Sequence, residues 1–75
     1  MYVLEVTVYF EGGSQDYIVP LVEVVDEEKA RENVMAMVHT LMEKGGYETF
    51  IDVNGKVVGI QLEKVRSCVV GYRKK

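Results

Sequence analysis

The first ten residues alternate between apolar and mixed positions. The residues that share the apolar face are Tyr2, Leu4, Val6, Val8 and Phe10. A period of two is typical of a half-buried β-strand, so the pattern predicts a strand over residues 2–10. The polar, glycine-bearing segment Glu11–Gln15 predicts a hairpin turn after it.

Residues Asp16–Val25 predict a second strand. Hydrophobic residues fall on both of its faces: Ile18, Val19, Leu21, Val22, Val24 and Val25. Pro20 has no backbone N–H to donate to a neighbouring strand, so we expect this strand to lie at a sheet edge or to bend near Pro20.

Helical periodicity begins after Asp26, a favourable N-cap residue. Glu27 and Glu28 in the first turn suit the positive end of the helix dipole. One apolar stripe follows at helical spacing: Ala30, Val34, Met37, Val38 and Leu41. Since Gly45-Gly46 is a typical C-terminal stop, with Lys44 in the last turn, the pattern predicts a helix over Glu27–Lys44.

A second hairpin is predicted after the helix, with strands over Tyr47–Val53 and Lys56–Glu63. Asn54-Gly55 between them is a strong signal for a two-residue turn. That turn pairs residues of one mostly apolar face: Val53 with Lys56, Ile51 with Val58, Thr49 with Ile60, and Tyr47 with Leu62. The opposite face is mostly polar and predicted to be solvated. On that face Phe50 is expected to lie opposite Gly59.

The apolar run Val65–Tyr72 predicts either a fifth strand after a corner at Glu63-Lys64 or a bent continuation of the fourth strand. The basic end of the chain, residues 72–75, is expected to fray. Residues 1–75 therefore form a single small α+β domain of order β-β-α-β-β(-β), with one helix packed on an antiparallel sheet. The pairing order of the strands across the helix stays open.

Composition narrows the possible functions. The 75 residues, 8.5 kDa, support only one small core. The net charge of −3 disfavours a broadly basic nucleic-acid binder. The single cysteine, Cys68, fits a reducing compartment, so we expect a cytoplasmic protein. A host cytoplasm entered by a mobile element fits the sequence equally well. Neither a signal-peptide pattern nor a membrane-spanning apolar run is present, so no membrane association is expected.

Candidate chemistry is sparse. His39, the only histidine, lies about 180° from the helical apolar stripe and should face solvent or a partner. Cys68 is predicted on a strand, away from that base, although a nucleophile requires an adjacent base. We therefore expect no catalytic residue, no metal and no cofactor, and no enzymatic activity.

Nucleic-acid binding by the solvated sheet face is also disfavoured. Phe50 could present a base-stacking platform there, with the positive charge of Lys56 nearby. The same hairpin carries Glu48, Asp52 and Glu63, which would repel a phosphate backbone.

A protein partner fits better. Met35 and Met42 form a second apolar line on the flank of the helix, unless a wide core stripe covers them. The apolar residues of Ile18–Val25 and Val65–Val70 exceed what one helix can cover, which predicts a homodimer. The candidate partner-binding residues are Met35, Met42, His39, Asp26, Glu27, Glu28, Glu32 and Phe50.

The leading hypothesis is a small non-catalytic protein-binding module that is homodimeric: a regulator, an adaptor or an inhibitor. An alternative is an acidic phage-type counter-defence inhibitor of a nucleic-acid enzyme, whose carboxylates at Asp26, Glu27, Glu28 and Glu32 would occupy the enzyme's basic groove for phosphate. Ordinary helix capping also explains these acids. Further alternatives are a ligand-binding oligomer with a pocket between subunits and a sheet-based nucleic-acid binder. A hairpin followed by an acid-capped helix is similar to antitoxin domains with a partial double-stranded-RNA-binding fold, in architecture alone.

Overall fold

Five strands and one helix make up the α+β fold of the computed structural model, which describes all 75 residues. The elements are β1 (Tyr2–Phe10), β2 (Gly13–Leu21), α1 (Glu27–Met42), β3 (Tyr47–Ile51), β4 (Val57–Gln61), a 3₁₀ turn (Leu62–Lys64) and β5 (Val65–Lys74). The order β-β-α-β-β-β confirms the fold class predicted from the sequence. The 3₁₀ turn is the corner that makes β5 a separate strand.

The strands form two antiparallel sheets. β2, β1 and β5 form a three-stranded sheet with β1 in the centre, while β3 and β4 form a two-stranded sheet. The pairing of β1 with β5 joins the two halves of the chain across the helix, which the sequence left open. Pro20 lies in the edge strand β2, where its missing N–H is tolerated.

The core lies between the three-stranded sheet and the elements packed on it, α1 and the β3–β4 hairpin with its 3₁₀ turn. Its buried residues are Leu4, Val6, Val8, Val19, Leu21, Ala30, Leu41, Ile60 and Leu62. The predicted helical stripe supplies Ala30 and Leu41, with Val34 and Met37 packed against this cluster. Asp26 caps the helix as predicted, because its carboxylate accepts a hydrogen bond of 2.8 Å from the Lys29 backbone N–H.

Several predicted boundaries are wrong, among them the start of β2, which lies at Gly13 inside the predicted turn rather than at Asp16. β2 ends at Leu21, not Val25, because Leu21 pairs with Tyr2 and no residue of β1 lies beyond it to pair with Val22. The helix ends at Met42, not Lys44, since Glu43 is already extended, with φ −70° and ψ 143°. Its backbone N–H donates to the Thr40 carbonyl at 3.3 Å.

The basic end of the chain, predicted to fray at residues 72–75, lies in β5 as far as Lys74. β5 continues to Lys74, which pairs with Tyr2. The Tyr72 ring packs against the Tyr2 ring, with centroids 6.1 Å apart, and Arg73 Nε lies 3.0 Å from a Glu5 carboxylate oxygen. These contacts with β1 hold the basic end of the chain in the sheet.

The predicted pairing of the second hairpin is wrong by one residue. Ile51 pairs with Val57 and Phe50 with Val58, so Gly59 lies opposite Thr49 rather than Phe50. A two-residue type I′ turn needs positive φ at both central residues. Only glycines have positive φ in this chain, which excludes that turn at Asn54. The loop is instead Val53-Asn54-Gly55, with Gly55 at φ 79°.

A shift of one residue exchanges the two faces of β3. Phe50, predicted on the solvated face, is half-buried against the core, and its ring meets Tyr17 edge-on at a centroid distance of 5.4 Å. Tyr47 and Ile51, predicted on the inner face, are exposed instead.

Candidate interaction surfaces

The outer face of the β3–β4 hairpin is the surface that the sequence did not predict. Its six residues are Tyr47, Thr49, Ile51, Val57, Gly59 and Gln61, all exposed and none charged. Tyr47 and Val57 expose 71% and 74% of their surface. An uncharged face with three large apolar side chains is unusual in a chain whose residues are 28% charged. We call these six residues the hairpin face.

The shape of the loop explains why these side chains point outward. The Gly55 N–H donates to the Asp52 carbonyl at 3.0 Å, closing a turn with Asp at its first position and Gly at its last. The Asp52 carboxylate also accepts from the Asn54 and Lys56 backbone N–H groups, at 2.9 Å each. The signal that could have revealed this loop is Asp52 itself, which favours a three-residue loop over a two-residue turn.

The helix flank is a second apolar surface. Met35, His39 and Met42 lie at i, i+4 and i+7 on α1, and all three are exposed. Met35 exposes 61% of its surface and Met42 46%, so the core stripe does not cover them. These three predicted partner-binding residues therefore share one surface, whereas Phe50 does not belong to it.

The predicted acidic residues are mostly engaged within the helix. Asp26 caps α1, and Glu32 lies 3.6 Å from Lys29 Nζ. Glu27 accepts a hydrogen bond from the Tyr72 hydroxyl and lies 3.3 Å from Arg31 Nη2. Glu28 makes no ion pair or side-chain hydrogen bond. These contacts support the helix-capping explanation of the acidic cluster rather than a surface kept for a partner.

The Glu27–Tyr72–Arg31 contact shifts the titration of all three groups. The Tyr72 hydrogen bond and the Arg31 charge lower the pKa of Glu27 below its usual 4.5. The same hydrogen bond to Glu27 raises the pKa of Tyr72. The neighbouring Tyr72 and Glu27 also raise the pKa of Arg31. The Glu27–Arg31 ion pair is therefore charged across the ordinary pH range.

The two residues considered for nucleophilic chemistry lie in different surroundings. His39 is exposed on the last turn of α1. Cys68 is half-buried on β5 against the core, and this burial raises the pKa of its thiol. A raised thiol pKa disfavours the reactive thiolate. No three His, Cys, Asp or Glu side chains lie together in a way that could hold a metal ion.

The largest concavity is an open cleft of about 950 Å³ beside β4. Phe10 and Tyr17 contribute its aromatic lining, and residues of both charges surround it. Arg66 and Glu11 in this lining pair with each other at 3.0 Å. Ligand pockets are usually enclosed and mostly apolar, which this cleft is not.

The folded chain exposes more surface than its mass requires. Its accessible surface is 5181 Å², about 500 Å² more than a compact monomer of this mass would expose. Eleven large hydrophobic side chains are exposed, four of them at the β3–β4 hairpin: Tyr47, Ile51, Val53 and Val57.

Comparison with known proteins gives no family to which the chain can be assigned. No family model, no curated protein and no solved structure matches it. The single helix is neither long enough nor apolar enough to span a membrane.

Proposed function

We propose that the chain is a small, non-catalytic protein-binding module that works as a homodimer. The observation that carries this proposal is the hairpin face, an uncharged surface with three exposed apolar side chains. Exposed apolar patches bordered by polar residues mark protein interaction sites. The chain's excess of accessible surface gives the same indication, because association would cover it.

A second copy is the occupant that the charge distribution favours. Two copies that meet about a twofold axis bring the same surface against itself. With a net charge of −3, most surfaces of this chain would then bring charge against like charge. The hairpin face contains no charged residue, so a second copy can meet the hairpin at this face or along its β4 border without that cost.

The experiment is a sedimentation series from 1 to 500 µM on the unmodified chain and on two matched double variants. Ile51→Asp with Val57→Asp places charge on the hairpin face. Val22→Asp with Val25→Asp makes the same chemical change at exposed valines outside the hairpin, before α1. We expect the unmodified chain and the control to dimerise, and the hairpin variant to bind at least tenfold more weakly, about 1.4 kcal/mol.

A single 8.5 kDa species for the unmodified chain across the whole range would contradict the proposal. Equal weakening by the two double variants would show that association does not depend specifically on the hairpin, and would contradict the role of the hairpin.

We also propose a cytoplasmic location. Cys68 packs against the core as a small apolar side chain with a suppressed thiolate, which suits a reducing compartment.

A further inference from the structure

The free edges of the two sheets differ in how they are protected. An unpaired strand edge offers backbone N–H and C=O groups to any other strand, and proteins usually block it with charge, proline or a covering segment. The β2 edge has Pro20, and the Ile18 carbonyl accepts from the Val53 N–H at 3.0 Å. The β5 edge carries Arg66, Arg73 and Lys74.

The β4 edge has none of these protections. Its sequence, Val-Val-Gly-Ile-Gln, makes it the only strand of the five without a charged residue, and it has no proline. β4 pairs only with β3. None of the backbone hydrogen bonds outside the ladders involves residues 57–61.

The ladder shows which groups of β4 point outward. Asp52 N–H donates to the Lys56 carbonyl at 2.9 Å, and Leu62 N–H to the Gly46 carbonyl at 3.1 Å. Hydrogen-bonded pairs alternate along an antiparallel ladder. Val58 and Ile60 therefore bond to β3, whereas the N–H and C=O groups of Val57, Gly59 and Gln61 point away from it.

We infer that β4 pairs antiparallel with β4 of a second copy, about a twofold axis at Gly59. This inference rests on the proposed homodimer and places its contact along the β4 border of the hairpin face, so that the two faces lie side by side rather than against each other. Gly59 faces Gly59 of the second copy, and Val57 faces Gln61, which gives about six new backbone hydrogen bonds. The two hairpins become one four-stranded sheet, and the two hairpin faces become one continuous uncharged surface.

A second copy suits the β4 edge better than it suits the β5 edge. Pairing β5 with itself about its middle would bring Arg66 of one copy against Arg73 of the other, and like charges opposite each other are destabilising. The centre of β4 is a glycine, and a Cβ added at Gly59 would meet no atom within 4 Å. The space beside Gly59, Ile60 and Gln61 is an open cleft of about 950 Å³, and no other strand of the chain pairs at this edge.

The length of β4 sets the expected strength. Five residues span about 17 Å, so the contact is smaller than the ~800 Å² per partner of standard interfaces. We therefore expect a dissociation constant in the micromolar range.

The test is a charge exchange at Gly59, measured by sedimentation. Gly59→Lys and Gly59→Glu each place like charges opposite each other across the twofold axis, so each alone should raise the dissociation constant at least tenfold. An equimolar mixture should dimerise within threefold of the unmodified chain, because Lys then faces Glu. The control pair is Gly71→Lys and Gly71→Glu on β5, where an added Cβ also meets no atom within 4 Å, and neither should change dimerisation.

Four outcomes would overturn the inference. If the Gly59 variants dimerise normally while Ile51→Asp with Val57→Asp does not, the hairpin faces pack on each other, and only the proposed homodimer stands. If the Gly71 variants lose dimerisation instead, the β5 edge is the contact. If each Gly59 variant is folded by circular dichroism but the mixture stays monomeric, Gly59 does not face itself. An unmodified chain that never dimerises overturns both proposals.

Discussion

Asp52 accepts hydrogen bonds from the backbone N–H groups of both Asn54 and Lys56, and Gly55 beside them has φ 79°. In this three-residue loop only Gly55 needs the left-handed conformation. In a two-residue turn both Asn54 and Gly55 would need it. Alanine substitutions at Asn54 and Gly55 therefore affect stability differently in the two kinds of loop.

We expect Gly55→Ala to lower the free energy of unfolding by about 1–2 kcal/mol, the cost of a left-handed non-glycine residue. Asn54→Ala should cost less than about 0.5 kcal/mol, because the loop uses its backbone N–H and not its side chain. Urea denaturation measures both. An equal loss of unfolding free energy at the two positions would indicate the two-residue turn. The outward and inward faces of β3 would then be the opposite of those described above.

The Glu27–Tyr72 hydrogen bond predicts an acid dependence of stability. The pKa of Glu27 is lower in the folded chain than its ordinary 4.5. Its contribution is therefore fully present above that value and is lost as the pH falls through the folded pKa. Tyr72→Phe removes the largest cause of the shift, so we expect the pKa of Glu27 to rise toward 4.5.

The measurement is an NMR titration of the Glu27 carboxyl in the unmodified chain and in Tyr72→Phe. Tyr2→Phe is the matched control, because the Tyr2 hydroxyl makes no hydrogen bond to a side chain. An unchanged Glu27 titration in Tyr72→Phe would show that the hydrogen bond does not form in solution.

Burial of Cys68 predicts slow thiol chemistry. The raised pKa of the thiol lowers the thiolate fraction at any given pH. The rate of alkylation in the native chain should therefore reach half its maximum at a higher pH than in the urea-unfolded chain. A native half-maximum at or below the unfolded one would place Cys68 outside the core.

At the scale of elements, the helix is the part that the sequence predicts best. The spacing of Ala30 and Leu41 identifies the buried face, and Asp26 identifies the start. The first strand is equally predictable, because β1 alternates cleanly and its mixed face is the one turned from the helix. Both depend on local periodicity alone.

The second hairpin is less predictable because its register depends on one loop. Asn54-Gly55 occurs in both two-residue and three-residue loops, and these differ by one residue in pairing. Apolar residues occupy both faces of β3, with Phe50 on one and Ile51 on the other, so hydrophobicity does not choose between the registers. The hairpin face therefore cannot be predicted from the sequence pattern alone.

A substitution at Leu41 tests how the helix packs on the sheet. Its side chain is completely buried, so Leu41→Ala should cost about 2–5 kcal/mol. Met35→Ala, on the exposed helix flank, should change stability by less than about 0.5 kcal/mol. Thermal and urea denaturation measure both, and a Leu41→Ala midpoint equal to that of the unmodified chain would place Leu41 outside the core.

The folded molecule as a whole has a large accessible surface and a small buried core. Ten of 75 residues are buried, and a two-stranded sheet such as β3–β4 is marginally stable by itself. Pairing of β4 with a second copy would extend that sheet to four strands. Dimerisation through β4 would therefore also stabilise the β3–β4 hairpin.

The most direct measurement is amide hydrogen exchange along β4, recorded by NMR at concentrations below and above dimer formation. Val58 and Ile60, bonded to β3, should be protected at both concentrations. Val57, Gly59 and Gln61 should exchange rapidly in the dilute sample and become protected in the concentrated one. Outward amides that remain unprotected in a dimeric sample would contradict the pairing of β4 with β4. Protection of Val57 and Gly59 in place of Val58 and Ile60 in the monomer would contradict the register that leaves this edge free.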